Sequence, residues 1–154
     1  MRLDTFQLID HVEELLPAEG LIRCRATVPH SAALFAGHFP GHPLMPGVLL
    51  AEAMAQTSGQ LLLALNDFTR MVLLAEIRSA KFRRMVLPGT VLSVTGRLVH
   101  DGSGYAVTEG AITVDGQAVA ESELRFRTLP FPSEETRAAM RDYARSVRLS
   151  DGVG

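Results

Sequence analysis

Residues 47–66, GVLLAEAMAQTSGQLLLALN, are the most apolar run of the chain and decide its fold. Most are strong helix formers, and Pro46 suits the first turn, where its missing N–H would have no partner in any case. The run has about the length of a bilayer span, but Glu52, Gln56, Thr57, Ser58 and Gln60 interrupt it. A helix apolar on nearly every face is expected to be enclosed by other elements of a folded domain, not by lipid.

Upstream, Pro40, Gly41, Pro43 and Pro46 exclude regular structure from much of 30–46 and fix a particular backbone path. Before that loop, LIRCRATV (21–28) puts Ile22, Cys24, Ala26 and Val28 in one phase and Arg23, Arg25 and Thr27 in the other, the alternation of a half-buried strand. Residues 6–16 fit a short helix or a strand, and the Pro17-Ala18-Glu19-Gly20 break favours a hairpin. Downstream, strands are expected over 71–86, 90–99, 105–114 and 117–128, with Asp115-Gly116 a strong hairpin turn. In the last of these, Ala118, Ala120, Ser122, Leu124 and Phe126 share a phase opposite Glu121, Glu123 and Arg125. A long buried helix between a hairpin and a meander implies an α+β domain, an antiparallel sheet wrapped around the helix.

A second helix is expected over 133–150, capped by Ser133, with Met140, Tyr143, Ala144 and Val147 as its apolar stripe and Arg137, Arg141, Arg145 and Arg148 on another face. Residues 151–154 are expected to fray. The expected division is therefore a domain at 1–130 and a C-terminal helical extension at 131–154.

The whole chain, 154 residues with 47% hydrophobic and 21% charged, has the composition of a globular protein. Its net charge of -2 offers no general attraction to nucleic acid or anionic membranes. A single cysteine, Cys24, excludes an intramolecular disulfide and reads as a buried thiol in a reducing compartment. Asp4, Asp10, Glu13 and Glu14 interrupt the N-terminal stretch where a secretory signal needs an apolar run, so a cytoplasmic protein is expected.

Chemistry concentrates in residues 38–56, HFPGHPLMPGVLLAEAMAQ. An acid inside an apolar helix must be neutral, paired or facing a cavity, and Glu52 is such an acid. Gln56, one turn on, can hydrogen-bond it. His38, on the rigid loop just upstream, is by its residue type either a structural loop histidine or, with Glu52 and Gln56, part of an acid and base pair. The free amides at the helix start, Gly47 and Val48, together with the positive end of its dipole, can stabilise an oxyanion. His38 and His42 are four apart, but Pro40, Gly41 and Pro43 exclude the helix that would make them joint metal ligands, so no metal site is expected.

This segment resembles the signature of the FabZ-type β-hydroxyacyl-acyl-carrier-protein dehydratases. The likeness extends to FQLIDHV before it and to AKFRRMVLPG and VDGQAVAESEL after it, covering roughly residues 6–128. The resemblance implies a hotdog fold and an active dimer, with trimers of dimers common. It also implies cofactor-independent dehydration of a (3R)-3-hydroxyacyl chain on acyl carrier protein to the trans-2-enoyl thioester, in fatty acid or related lipid biosynthesis. His38 would remove the α-proton and Glu52 would help the β-hydroxyl leave. The Gly47 and Val48 amides would hold the thioester oxygen, with Gln56 in the same substrate-binding set. Sharing of each site between two chains, His38 from one and Glu52 from the other, comes from the resemblance alone.

Lys81, Arg83 and Arg84 are either a solvated strand surface or a dock for the acidic carrier protein. The related FabA-type dehydratase/isomerases carry aspartate where this chain has Glu52, so isomerisation is not the first expectation. The chain departs from the family in beginning almost at FQLIDHV and in its arginine-bearing tail, and both are expected to affect chain-length preference. The alternatives are a hotdog acyl thioesterase and a non-catalytic hotdog that binds acyl carrier protein.

Overall fold

The break at 17–20 does turn a hairpin. Strand β1 (His11–Leu16) pairs antiparallel with β2 (Leu21–Thr27), and Gly20 closes the turn at φ 61°, a left-handed conformation that favours glycine. These elements belong to a computed structural model that describes residues 1–149. Helix α1 (Gly47–Leu65) follows the loop, and then come β3 (Met71–Phe82), β4 (Val91–Gly102), β5 (Tyr105–Val114) and β6 (Gln117–Leu129). The six strands form one antiparallel sheet in the order β1-β2-β4-β5-β6-β3.

The sheet curls around α1, as expected of a hotdog domain, and β2 through β6 all touch the helix. Where α1 comes closest, the sheet has no side chains: Gly96 and Gly110 face each other across β4 and β5. A Cβ on Gly110 would lie 2.8 Å from that of Met54, and one on Gly96 would lie 3.2 Å from Cα of Ser58. Ser58 and Thr108, both fully buried, satisfy each other there at 2.9 Å. By length and composition α1 could cross a membrane, yet most of it is buried inside this sheet.

Several boundaries differ from those read off the sequence. Strand β3 stops at Phe82 instead of 86, because the chain there leaves β6 to cover the loop before α1, where Val86 O accepts from Met45 N at 2.8 Å. Strand β4 runs on to Gly102, and a 3₁₀ turn at Ala33–Ala36 precedes the prolines of the loop. Along β6, Ala120, Ser122, Leu124 and Phe126 are buried as expected, but Ala118 is exposed and Val119 is buried. The cause is a bulge in β6, where Val119 is skipped between the partners of Ile112 and Thr113, since a slip of one residue exchanges the faces.

Helix α2 (Glu134–Ser146) starts at Ser133, whose hydroxyl accepts from Thr136 N at 3.2 Å. Its Ala144, with Val147 and Leu149 beyond it, packs into a second apolar cluster with Ile9, Val12 and Leu61. The arginine row is largely engaged: Arg137 pairs with Glu134, Arg145 with Asp142, and Arg141 donates to Asp67 O at 3.1 Å while lying over the Phe68 ring. The expected fraying at 151–154 and the last residue of the expected helix, 150, lie outside the described residues.

Candidate active site

The loop before α1 is closed by His38 and Leu44. Leu44 N donates to His38 O at 2.8 Å, and the His38 ring lies with Nδ1 3.0 Å from Leu44 O. A carbonyl can only accept, so Nδ1 carries the proton, and Nε2 is left with a lone pair. The His38–Phe39 peptide is cis, and the two rings stack with centroids 4.4 Å apart. His42 shapes the same loop, exchanging backbone hydrogen bonds with Phe39 at 2.9 and 3.1 Å.

Helix α1 begins where this loop ends. The amides of Leu49 and Leu50 return to Pro46 O, and those of Gly47 and Val48 have no partner among the described residues. Gly47 is tightly covered, for a Cβ on it would lie 3.3 Å from the Phe82 ring. Val48 is 74% exposed. His38, Gly47, Phe82, Arg83 and Arg84 line one open cavity of about 260 Å³.

Glu52 faces elsewhere. At 3.6 residues per turn it points about 160° around the helix from Leu50, a residue of the His38 cavity. It lines a second cavity, of about 250 Å³, with Gln56, Gly59, Gln60, Met140 and Tyr143. Gln56 Nε2 donates to Glu52 Oε1 at 3.1 Å, the pairing that the one-turn spacing suggested. The same amide donates to Phe6 O at 2.9 Å and accepts from Leu8 N at 2.9 Å, so Gln56 ties Glu52 to the N-terminal segment. Tyr143 Oη stands 3.5 Å from Gln56 Oε1, and burial pushes its phenol up to about 12. Within one chain, therefore, Gln56 is brought to Glu52, whereas His38 and the helix start are not.

The basic cluster is partly neutralised. Lys81 and Arg83 share Glu121, at 3.4 and 2.6 Å, and Arg84 forms no ion pair among the described residues. Cys24 is fully buried and its thiol is raised to about 12 by desolvation, which makes it inert. Sequence reasoning missed the roles of Phe6, Leu8, Leu44 and Tyr143, since three act through backbone atoms and Tyr143 read only as part of an apolar stripe.

The model of the FabA-like domain matches residues 2–123. The chain belongs to the FabA-like family. Among its members, the 3-hydroxyacyl-[acyl-carrier-protein] dehydratase FabZ of Ligilactobacillus salivarius is 42% identical over 120 residues, 77% of this chain and 85% of the relative. FabZ of Granulibacter bethesdensis is 41% identical over 138 residues, 86% of this chain and 80% of the relative. These likenesses make the FabA-like chain a FabZ-type member. Among solved structures, a conserved protein of Pseudomonas aeruginosa superposes with a TM-score of 0.62 at 23% identity, covering 77% of this chain and 87% of its own. A hypothetical thioesterase with coenzyme A from Streptococcus pneumoniae gives 0.62 at 17% identity, covering 80% and 90%. At such identities the structural likeness extends to the fold alone.

Proposed function

We propose that this protein dehydrates (3R)-3-hydroxyacyl chains borne on acyl carrier protein to trans-2-enoyl thioesters, in cytoplasmic fatty acid or related lipid biosynthesis. The observation that carries the reading is the pair of complementary half-sites. One holds a histidine with a free Nε2 beside unpaired helix-start amides, and the other holds a glutamate fixed by Gln56. Identities of 41–42% to FabZ enzymes support the same reaction, against a thioesterase likeness confined to the fold.

In the proposed reaction the thioester carbonyl accepts from the Gly47 and Val48 amides, which lowers the cost of charge on its oxygen. His38 Nε2 takes the α-proton, and the released electron pair forms the Cα–Cβ double bond. The Cβ–O bond breaks as Glu52 delivers its proton to the hydroxyl, and water departs. The proton on His38 then returns to Glu52 through solvent. No redox change or cofactor is required.

The two half-sites meet across a homodimer. Leu73, Leu74, Ile77, Phe82, Val48 and Met85 are large apolar side chains left exposed along and beside β3, one of the two edge strands of the sheet. A second copy pairing there covers them and sets His38 against Glu52 of the partner subunit. Further association into trimers of dimers rests on the family resemblance. Arg83 and Arg84, which line the His38 cavity, would meet the acidic carrier together with Lys81.

Incubation with a 3-hydroxyacyl carrier protein should yield the enoyl thioester and water with no free thiol. His38→Ala and Glu52→Gln should each lower kcat by about two to four orders of magnitude while leaving the fold intact. Release of free thiol instead would make the protein a thioesterase, and unchanged substrate would make it a binding module.

A further inference from the structure

Helix α2 lies beyond residues 2–123, the stretch that matches the FabA-like domain, yet it supplies one side of the Glu52 cavity. Of the residues lining that cavity, Glu52 and Gly59 on α1, Val72 and Leu74 on β3, and Met140 and Tyr143 on α2 are only half-buried or exposed. The cavity is polar where Glu52, Gln56 and Tyr143 gather, for Gln56 bonds Glu52 and stands 3.5 Å from the Tyr143 hydroxyl. Met140, one turn before Tyr143 on the same face of α2, brings an apolar and adaptable side chain to the wall. On α1, Gly59 leaves the helix bare two turns, about 10 Å, beyond Glu52. A Cβ built there would meet nothing within 4 Å, so packing does not call for a glycine that weakens the helix interior. The backbone carrying Met140 is anchored at the next residue and one turn on. Arg141 donates to Asp67 O and lies over the Phe68 ring, and Ala144 packs with Ile9, Val12 and Leu61.

We propose that Met140 is a specificity-determining residue. The acyl carbons beyond the reacting pair run from Glu52 past Gly59, and Met140 sets the length at which they no longer fit. The proposal rests on the dehydratase reading of Glu52. An acid that protonates the leaving β-hydroxyl stands beside Cβ, so the rest of the chain continues into the space adjoining the carboxyl, and the cavity of about 250 Å³ is that space. Chain-length preference thereby becomes a property of α2, a segment outside the family domain. A wall that one more increment of chain cannot pass discriminates by about tenfold or more.

The test measures kcat/KM for carrier-bound 3-hydroxyacyl chains, in steps of two carbons from four to sixteen, with the wild-type protein, Met140→Ala and Met140→Phe. The wild-type protein should lose activity sharply beyond one length in the series. In Met140→Ala that limit should move to longer chains, and the first length the wild-type protein rejects should gain about tenfold or more relative to the last it accepts. In Met140→Phe the limit should move to shorter chains, which keeps a readout should the alanine variant not fold. A wild-type protein with no limit in the series, or a limit that stays in place in the folded variants, overturns the proposal. Dehydration of no chain at all by the wild-type protein sinks the dehydratase reading of Glu52, whereas dehydration with an unmoved limit sinks only the role of Met140.

Discussion

Gln56 has almost no hydrogen-bonding capacity left over. Its Nε2 protons go to Glu52 Oε1 and Phe6 O, and its Oε1 accepts from Leu8 N. Replacing it by leucine removes the donor that orients Glu52 and strands a backbone amide and a backbone carbonyl. Gln56→Leu is expected to lower kcat by about one to two orders of magnitude, less than loss of the acid itself, and to destabilise the fold by about 1–3 kcal/mol. Full kcat in a folded Gln56→Leu protein would remove the positioning role. The Glu52–Gln56 pair was legible in the sequence, because residues four apart on a helix must adjoin. Its anchors at Phe6 and Leu8 were not, since a backbone atom takes part in a tertiary contact whatever its side chain. Nor did the sequence tell where Nε2 of His38 would point, which depends on the Leu44 carbonyl returning to the ring.

At the level of elements, α2 is tied to the core at its C-terminal end, through Ala144 and the residues just beyond the helix. Val147, just past its end, is fully buried, and its carbonyl accepts from Val12 N on β1 at 2.7 Å. Val147→Ala deletes two methyl groups from a closed cluster and should cost about 2 kcal/mol, lowering Tm by about 4–8 °C. A Tm equal to that of the wild-type protein would mean that the helix is only loosely attached. Helix α1, the β1–β2 hairpin and the β5–β6 turn were readable because local periodicity and turn chemistry agree with the final packing. The end of β3 was not, for the stretch to Val86 read as strand, but after Arg83, whose amide still reaches Val119 O of β6, the chain turns away and Val86 O takes the amide of Met45 instead. The phase of Ala118 was lost to a bulge in β6 itself, where Val119 is skipped between the partners of Ile112 and Thr113.

For the whole molecule, the division of His38 and Glu52 between two cavities of one chain makes a prediction about mixtures. The inactive His38→Ala and Glu52→Gln proteins, dissociated and allowed to reassociate, form mixed dimers in which one site inherits both lesions and the other neither. Random pairing makes about half the dimers mixed, so about a quarter of wild-type activity should return. Proven exchange of subunits with no recovered activity would confine each site to a single chain.

The exposed edge of β3 also governs what happens to a newly made chain before it meets its copy. Its outward-facing amides and carbonyls are an open template, flanked by Leu73, Leu74 and Ile77, onto which any extended peptide can add. In the proposed dimer, pairing with the correct mate would protect and activate in the same event. Under the proposed sharing of each site between two chains, a chain that has not met its copy would be both inactive and prone to aggregate. A weakened edge would then be recognised in cells by insoluble protein before it was recognised by slow turnover.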